Sequence, residues 1–572
     1  MVIAENMESS EEARGIDAAM TLEMGKCIAT FSQRPCISII LPTYNSNLSW
    51  LKEAISSVQK QIYSNWQLCI ADDASTDPAL KEYLASLESE DSRITLTFRA
   101  NNGHISLASN SAIESAQGEW IAFLDHDDIL AVDALFWVVF AINEKREARL
   151  IYSDEDKIDE RGRKKHPYFK PDWNRRLFYS HNLITHLAVY HANLIRQVGG
   201  LRKGFEGAQD YDLALRCIEH ISPEQIYHIP RVLYSWRIHA ESTSKTAEAK
   251  PYAMLAGERA LNQHFQRLGL GAKAELQGRG YRIHYSLPDT KPTVTIIIPT
   301  RNGLHYLEKA VSSIVSKTRY AGYGILIVDN GSDDEDTLAY LQRICAEPNV
   351  DVLREDREFN FSAINNRAVD LVSSDIIALL NNDVEVISPH WLEEMAGLAL
   401  QPDVGAVGAR LWYPDDTLQH GGIVLGLDIF AEHAHKGICR GDPGYVDRAI
   451  VAQEFSAVTA ACLVVERAKY FEVGGLDEKN LKIAYNDIDF CLRLREMGYR
   501  NVWTPHAEMY HHESVSRGED NTPDKWGRFQ RELAYMQERW GYIAHNDPSY
   551  NPNLTLDSPN FGLAWPPRFS CL

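Results

Sequence analysis

The chain has 572 residues, which is too long for a single hydrophobic core and predicts either three or four domains or two large ones. Its formal net charge of −21 and its pI near 5.4 argue against nucleic acid as the main partner, because phosphate binding needs a dense basic surface. Its nine cysteines form no Cys-x-x-Cys pair, so we predict neither a zinc ribbon nor a disulfide framework, and reduced thiols favour the cytoplasm.

The N-terminal segment is polar and acidic. It lacks the basic region and the apolar core of a signal peptide, so we predict a flexible segment over residues 1–34. The longest apolar runs, 134–142 and 457–465, have nine residues each, well short of the roughly 20 that span a bilayer. These features predict a protein inside the cell and leave peripheral contact with a membrane open.

Apolar strands and helical patterns alternate from residue 36 onward. Strands are predicted near 36–41, 67–71, 94–98 and 119–124, and helices near 48–60, 77–87, 105–117 and 131–145. This alternation predicts an α/β fold with a mostly parallel, doubly wound sheet, whose ligands bind at the carboxyl ends of the strands. The motifs Pro-Thr-x-Asn, "ADDASTD" and "LDHDD" all follow such strands. We therefore expect them to face one crevice.

The sequence repeats at a spacing of about 256 residues. The stretch "CISIILPTYN" near residue 36 is matched by "TVTIIIPTRN" near residue 293, and Pro42 lies 257 residues before Pro299. Asn110 and Asn366 match at a spacing of 256. We therefore predict two copies of one domain type, over 35–285 and 286–545, followed by an extended tail over 546–572.

Carboxylates gather after the fourth predicted strand. Asp125 and Asp127 flank one residue, so they can present oxygens to one hard cation such as Mg²⁺ or Mn²⁺. In the second copy Asn381 replaces Asp125 and Asp383 keeps Asp127, which removes one charge. A solvated turn or a helix cap would explain a single Asp-x-Asp, but its recurrence at a strand end in both copies favours a function.

A second acidic pair opens a helix in each copy, after the sequence Gly-Gly-Leu. We predict that the first acid of each pair, Asp210 or Asp487, is a general base, because a carboxylate at a crevice rim can take a proton from an attacking hydroxyl. For the second acids, Asp212 and Asp489, a favourable charge at the helix N-terminus is an equally good explanation.

The motif His-x-Glu-Ser-x-Ser follows in both copies, beginning at His239 and at His511. A histidine at the same repeat position in each copy favours a third metal ligand or a contact to the leaving group. In the second copy His512 competes with His511 for this role. The aromatic stretches 166–179 and 410–422 fit either sugar stacking in an acceptor site or packing in the core.

Together these motifs resemble the family 2 glycosyltransferases, which are inverting nucleotide-sugar enzymes of the GT-A fold. The resemblance covers about 36–545, twice over, and the second copy looks like bacterial members that build rhamnose-containing or other cell-surface polysaccharides. It implies two tandem GT-A domains, which are Rossmann-like α/β domains. It also implies Mn²⁺ or Mg²⁺ as the cofactor, with no nucleic acid partner.

The resemblance implies a role for individual residues. Asp73 would bind the base, whereas Asp329 and Asn330 stand at that place in the second copy and leave base selectivity open. Gln209 and Asn486 stand where the family usually has a Glu, directly before the general base Asp210 or Asp487. The implied donor-binding residues are Pro42, Thr43, Tyr44, Asp73, Asn110, Pro299, Thr300, Asp329, Asn330 and Asn366. The implied metal ligands are Asp125, Asp127, His239, Asn381, Asp383 and His511.

The function implied is a bifunctional inverting glycosyltransferase. It would move sugars from UDP-, dTDP- or GDP-linked donors to a glycan or lipid-linked glycan of an O-antigen, a capsule or a rhamnan. A lipid-linked acceptor would place a cytoplasmic enzyme at the inner face of the cell membrane. Two alternatives stay open: one active domain with a degenerate binding module, for which the Asn-x-Asp copy is the natural choice, and a scaffold that binds glycan or nucleotide sugar without turnover.

Overall fold

The computed structural model describes residues 17–239, 251–512 and 523–569, which divide into two compact units. The first unit holds most of the described chain up to Tyr281; the second holds Asn174–Ser180, Gly271–Lys273 and the described chain from Arg282 onward. The segment Asn174–Ser180 therefore belongs to the second unit, although it lies inside the stretch predicted as the first domain. The reason is its bonding, because Arg176 forms an ion pair with Asp403 at 2.6 Å.

The helices and strands of the first half follow the predicted alternation. In chain order they are α1 (Ala18–Thr30), β1 (Ile37–Thr43), α2 (Leu48–Gln59), β2 (Trp66–Asp72), α3 (Pro78–Glu90), β3 (Ile94–Phe98), α4 (His104–Ser115), β4 (Trp120–Phe123), β5 (Ile129–Leu130), α5 (Ala134–Glu144), β6 (Leu150–Ile158), β7 (Lys164–Tyr168), α6 (Arg175–Ser180), β8 (Ala188–His191), α7 (Ala192–Val198), α8 (Gln209–Ile218), β9 (Ile226–Arg237), α9 (Pro251–Leu268), β10 (Ala272–Gln277) and β11 (Gly280–Tyr285).

The second half repeats this succession and adds short strands in its later part. Its elements are β12 (Val294–Thr300), α10 (Leu304–Lys317), β13 (Tyr323–Asp329), α11 (Glu335–Ile344), β14 (Val350–Arg354), α12 (Phe361–Leu371), β15 (Ile376–Leu380), β16 (Val384–Val386), α13 (Trp391–Ala399), β17 (Val404–Trp412), β18 (Leu418–His420), β19 (Ile423–Leu425), β20 (Ala431–His433), β21 (Gln453–Phe455), β22 (Cys462–Glu466), α14 (Arg467–Glu472), α15 (Asn486–Glu496), β23 (Arg500–His511) and α16 (Pro523–Ala544).

Each unit is built on one large sheet, and the two sheets have the same strand order. The first runs β3-β2-β1-β4-β8-β6-β9-β5 and the second runs β14-β13-β12-β15-β22-β17-β23-β16. Helices pack on these sheets over apolar cores, to which the apolar side chains of β1 and β12 contribute. The predicted α/β fold in two copies is confirmed.

The pairing within each sheet is mixed. Strands β3, β2, β1 and β4 are parallel, as the alternation predicted, but β8 runs antiparallel to both β4 and β6. The same antiparallel strand, β22, lies between β15 and β17 in the second sheet. The sequence did not predict this strand, although it brings the loop before it to the carboxyl end of β4.

The N-terminal segment was predicted to be flexible, but from residue 17 onward it forms a helix that packs on the first unit. Asp17 caps α1 by accepting the N–H of Met20 at 2.8 Å, and Met24 on this helix is 1% exposed. Phe31 stacks on Phe136 of α5 with 5.9 Å between the ring centroids. Burial of these two apolar side chains holds the segment on the first core, an interaction that its polar composition concealed.

The C-terminal segment from residue 546 contains no long helix among the described residues to 569, yet it is packed. Tyr550 and Leu554 are buried, and the Asp547 carboxylate accepts the Ser456 hydroxyl and the Leu425 N–H at 2.6 and 2.7 Å. A buried carboxylate is tolerated here because it is hydrogen-bonded. In the described part of the chain, no helix has the length and apolar character that crossing a membrane requires.

Candidate active site

The Pro-Thr-x-Asn motif fixes the chain where the first strand of each unit ends. Asn45 has a left-handed backbone, with φ of 45°, and its N–H donates to the Ser75 hydroxyl at 2.8 Å. Asn302 repeats this geometry with φ of 54° and a 2.8 Å bond to the Ser332 hydroxyl. Asparagine tolerates the left-handed region better than most residues. The motif therefore ties the end of one strand to the loop after the next.

A cavity of about 1110 Å³ opens at the carboxyl ends of the strands in the first unit. It is the crevice that the parallel strands predicted. The structure brings eight predicted residues together in its wall, which are Pro42, Thr43, Tyr44, Asp73, Asp125, Asp127, Asp210 and His239.

The predicted base-binding position differs between the units. Asp73 is buried in the cavity wall and accepts the Arg99 Nε–H at 2.7 Å and the Gly103 N–H at 2.9 Å. In the second unit Asn330 stands there, and its amide donates to the carbonyl oxygens of residues 355 and 357 at 2.9 and 2.8 Å. Arg354 pairs instead with Asp329 at 2.6 Å. The sequence analysis identified neither Arg99, which pairs with Asp73, nor Arg354, which pairs with Asp329.

Asn110 and Asn366 were predicted to bind the donor, but in the structure each bonds to the backbone of the Gly-Gly-Leu loop. The Asn110 amide donates to the Leu201 carbonyl oxygen at 2.8 Å, and its oxygen accepts the Leu201 N–H at 2.9 Å. Asn366 bonds Leu476 in the same two ways, both at 2.9 Å. Asn110 also does not line the cavity. The geometry thus gives both residues the role of holding the Gly-Gly-Leu loop and does not support a donor contact.

The structure pairs the acid and the histidine that were predicted to share a metal ion. His239 Nε2 lies 2.8 Å from Asp127 Oδ2 in the first unit, and His511 Nε2 lies 3.2 Å from Asp383 Oδ1 in the second. The rival His512 points its ring at Glu385, at 3.5 Å. His511 is thus the geometric counterpart of His239. The acidic and serine positions that complete this motif lie outside the described residues.

A second set of metal-type ligands lies beside the first and was missed by sequence reasoning. One ligand atom each from Asp125, Asp128 and His186 lie within 4.8 Å of one another. His186 arrives from the loop before β8, 61 residues away from Asp125 in sequence. Nothing in the local pattern around His186 signals a ligand, because antiparallel pairing of β8 beside β4 creates the approach.

A buried ion pair holds the loop that carries His186. Lys170 is fully buried, and its Nζ lies 3.3 Å from the Glu155 carboxylate and donates to the carbonyl oxygens of Ile184 and His186 at 3.0 and 2.8 Å. Glu155 also accepts the His186 N–H at 3.1 Å. A buried ammonium needs this full set of partners. These bonds fix the backbone of the loop that presents His186 to the cavity.

The charges of this cluster suit a divalent cation. Burial, with the nearby Asp127, raises the pKa of Asp125; burial, with Asp127 and Asp125, raises the pKa of Asp128 well above its ordinary value. Carboxylates so close repel one another unless protons or a cation neutralise them. Carboxylate oxygens and an imidazole are the donors that Mn²⁺ and Mg²⁺ accept in proteins. The residues present in the first unit therefore fit the implied metal.

The second unit has fewer ligands at the corresponding places. By the repeat spacing, Asn381 stands for Asp125 and Val384 stands for Asp128. The loop before β22 carries Ala460 and Ala461 where the first unit has His186. Asp383 and His511 are the remaining pair. One carboxylate, one imidazole and one amide oxygen form a weaker donor set for a hard cation.

The candidate bases occupy the first turn of α8 and of α15. Asp210 lines the cavity and accepts the Asn182 amide at 2.7 Å, and burial raises its pKa. The Asp487 carboxylate accepts the Ala460 N–H at 2.9 Å. The second acids of these pairs are structural, because Asp212 and Asp489 are fully buried and form ion pairs with the arginine four residues later. This agrees with their explanation as helix-opening charges.

The aromatic stretches considered for an acceptor site are mostly core. The rings at positions 168, 169, 178, 179 and 412 are all buried, with at most 8% of each residue exposed. Trp412 also donates its indole N–H to Glu508 at 2.8 Å. These side chains are therefore unable to stack on a sugar as they stand.

Comparison with known proteins identifies the family. A family model described as Glycosyl transferase family 2 matches residues 38–199 and 295–423, together about half of the chain. The chain belongs to this glycosyltransferase family. Both matched regions include a Pro-Thr-x-Asn motif and the acidic strand end that follows it, so the family pattern occurs once in each unit.

Relatives of this family 2 glycosyltransferase are longer than the chain. An uncharacterized protein of Sinorhizobium fredii is 48% identical over 552 residues, covering 96% of this chain and 61% of that protein. The O-antigen biosynthesis protein RfbC of Myxococcus xanthus is 35% identical over 548 residues, covering 94% of this chain and 42% of that protein. A solved structure of S. aureus TarS 1-349 in complex with UDP covers 40% of this chain and 72% of that chain at 19% identity, with a TM-score of 0.31.

Proposed function

We propose that the protein transfers sugars, with inversion, from nucleotide-diphosphate donors to a cell-surface polysaccharide acceptor. The observation that carries this proposal is the cavity of the first unit, which is lined by Asp125, Asp127, His186, His239 and the candidate base Asp210. Family membership supports transferase chemistry, and the similarity to an O-antigen biosynthesis protein supports a surface polysaccharide as the product.

In the proposed mechanism Asp125, Asp127 and His239 would hold the divalent cation, with Asp128 and His186 beside Asp125. When bound, such an ion offsets the negative charge that builds on the diphosphate as it leaves. The bonds of Lys170 keep the His186 loop in place while the donor binds. By fixing the donor, these residues lower the entropic part of the barrier.

Asp210 acts on the acceptor. Its carboxylate takes the proton of the acceptor hydroxyl as that oxygen forms a bond to the anomeric carbon, and the bond between this carbon and the diphosphate oxygen breaks. Attack and departure occur on opposite faces, which gives inversion. The raised pKa of Asp210 makes it a stronger base than an exposed aspartate, and the Asn182 amide keeps its carboxylate oriented.

For the second unit two functions are proposed. The retained Asp383, His511 and Asp487 support a second transferase, which would make the protein bifunctional. The replacements Asn381 and Val384 favour a second candidate, in which this unit binds nucleotide sugar or glycan without transferring a sugar. A scaffold without any turnover is the least supported reading, because an aspartate is retained at both candidate base positions.

The donors and the location are also proposals. The donor is a UDP-, dTDP- or GDP-linked sugar, and the acceptor is a glycan or a lipid-linked glycan. Building on a lipid-linked acceptor would place the enzyme in the cytoplasm, in peripheral contact with the inner face of the cell membrane.

Nucleotide release tests this function. The purified full chain is incubated with Mn²⁺ or Mg²⁺, a panel of UDP-, GDP- and dTDP-sugars and a glycan acceptor preparation, in parallel with Asp127→Ala, Asp383→Ala and the double variant. We expect metal-dependent release that Asp127→Ala abolishes. Release of a second nucleotide that only Asp383→Ala abolishes would establish bifunctionality, whereas unchanged release by Asp383→Ala would assign the second unit to binding. Absence of metal-dependent release from every donor would contradict transfer.

A further inference from the structure

Four aromatic side chains of the second unit form a continuous row, which we call the aromatic row. Trp526 stacks on Phe529 at 5.6 Å between centroids with an interplanar angle of 26°, and Phe529 lies 5.7 Å from Tyr485. Tyr485 in turn meets the edge of Phe430 at 5.8 Å. The row begins at a buried ring, since Phe430 is 3% exposed, and ends at Trp526, which is 53% exposed.

The aromatic row is attached to the segment that carries the candidate base. Tyr485 lies two residues before Asp487 and has a left-handed backbone, with φ of 61°, which is unusual for a bulky side chain. The loop before it is held by Glu532 of α16, whose carboxylate accepts the N–H groups of Ile483 and Ala484 at 3.0 and 3.1 Å. The helix that presents Trp526 thus also braces the backbone beside Asp487.

Carboxylates lie at the edge of the row. Burial, with the carboxylates of Asp428 and Glu532, raises the pKa of the Tyr485 phenol to about 12. The hydroxyl therefore stays protonated at neutral pH and keeps its hydrogen. Asp428 is exposed, so its oxygens are open to hydrogen-bond donors from solvent. Flat apolar rings bordered by hydrogen-bonding groups are typical of sites that hold an amphipathic ligand in a fixed orientation.

The first unit has the same framework without the row. Helices α9 and α16 each begin with a proline 12 residues after the metal-type histidine, so Met254 and Gly257 correspond to Trp526 and Phe529. Two residues before its candidate base the first unit has Ala208. The shared fold therefore forms without aromatic side chains at these three positions. The aromatic row is therefore a feature of the second unit that the shared fold does not require.

We propose that the aromatic row is a saccharide-binding platform that seats the acceptor glycan beside Asp487. The apolar faces of sugar rings would stack on Trp526 and Phe529, and the sugar hydroxyls would donate to Asp428. This inference rests on the proposed function, because it assumes that the acceptor is a glycan. It holds whether the second unit transfers a sugar or only retains the growing chain.

The test is binding of the full-length protein to a printed array of bacterial O-antigens, capsular polysaccharides and their repeat-unit oligosaccharides. We expect the wild type to bind a defined subset and Trp526→Ala or Phe529→Ala to weaken that binding about tenfold or more, as loss of an aromatic anchor does in other interfaces. Asp487→Asn should keep the binding, because it leaves the platform intact. The same variants are assayed for nucleotide release without acceptor.

Tyr542→Ala is the matched control, because Tyr542 is an aromatic residue of the same helix, is 69% exposed and lies outside the row. It should leave array binding unchanged. Unfolding temperature and circular dichroism check that each variant is folded, which is expected for so exposed a residue as Trp526.

The outcomes separate this inference from the proposed function. If nucleotide release is metal-dependent and Trp526→Ala does not change glycan binding, the proposed platform is wrong and the proposed transferase function stands. Loss of self-association in Trp526→Ala, measured by light scattering, with unchanged glycan binding would also overturn it, since the row would then be an interface between copies. Glycan binding that depends on Trp526 in a protein without nucleotide release would support the platform and contradict the transferase.

Discussion

The two units keep the same scaffold and differ in side chains at and beside the candidate site. Both have one strand order, the same asparagine that holds the Gly-Gly-Leu loop, and a buried aspartate paired to an arginine at the start of the base helix. Among the described residues, the cluster of Asp125, Asp128 and His186 occurs only in the first unit and the aromatic row only in the second. The buried bonding groups are the same in both units because losing one partner leaves the other unsatisfied.

The largest expected effect concerns the candidate bases. Asp210→Asn should lower kcat for transfer by the first unit about 10²–10⁴-fold, because an amide cannot accept the proton of the acceptor hydroxyl. Donor affinity, measured by calorimetry, should change little. Glu206→Gln is the matched control, since Glu206 is another carboxylate in the wall of the same cavity. An equal loss of kcat in that variant would contradict the assignment of Asp210.

The corresponding variant Asp487→Asn sharpens the comparison between the units. If the second unit transfers a sugar, one product disappears while the product of the first unit persists. If it only binds, every product persists at the wild-type rate. Product analysis by mass spectrometry distinguishes these results.

The two units should also respond to pH in opposite directions. In the first unit burial lowers the pKa of His228, but the carboxylates of Asp154 and Asp172 outweigh it and raise this pKa to about 9. The stabilising contribution of His228 is therefore present below about pH 6.5 and is lost as the pH rises through 9. In the second unit burial, with Arg448, lowers the pKa of His435 to about 3, so stability is present above about pH 6.5 and is lost as the pH falls.

Each of these histidines should change the free energy of unfolding of its unit by on the order of 3 to 5 kcal/mol over its range. Hydrogen exchange of peptides from β6 and from β17 reports the two units separately. His228→Gln should remove the loss at alkaline pH and His435→Gln the loss at acidic pH. Parallel pH profiles for the two sets of peptides would argue against this difference.

Metal affinity should follow the difference in ligands. Asp125→Asn, which gives the first unit the residue that the second unit has, should weaken Mn²⁺ binding about tenfold or more, because even outer-shell substitutions cost 10–100-fold. The reverse change, Asn381→Asp, should strengthen Mn²⁺ binding by the second unit. Electron paramagnetic resonance of free Mn²⁺ measures both without any turnover. Equal affinities in wild type and Asp125→Asn would remove Asp125 from the site.

The smallest effect concerns the Gly-Gly-Leu loop and should be the same in both units. Gly200 and Gly475 both have φ of 71°, and an added Cβ would lie 2.5 Å from the oxygen of Asn110 or Asn366. Each Gly→Ala substitution should therefore lower the free energy of unfolding of its own unit by about 1–3 kcal/mol.

The preceding glycines provide the control for this prediction. Gly199 and Gly474 have φ of 78° and 79°, but a Cβ there would meet nothing within 4 Å. Alanine at these positions brings backbone strain without a clash, so its effect should be smaller. Equal losses at both positions of a pair, measured by hydrogen exchange, would show that the asparagine contact is unimportant.

Much of the site could be predicted because its signals are local. Apolar runs followed by Asp or Asn marked the strand ends, and the repeat marked Asp127 with Asp383 and His239 with His511. The role of Asn110 could not be predicted in this way, because its contact with Leu201 spans 91 residues. The choice of His511 over His512 depends on which ring faces Asp383, and a sequence does not contain that direction.

The sequence by itself determined the α/β alternation, the duplication and the acids at the strand ends, since burial and side-chain period are local properties that a linear pattern records. Only the tertiary structure decided that His186 joins Asp125 and Asp128, that Lys170 holds its loop, and that α1 packs on the first core. The physical reason is that these contacts depend on the antiparallel placement of β8 between β4 and β6 and on apolar surface supplied by distant elements. The order of the strands depends on the packing of the whole sheet, which no local stretch of sequence records.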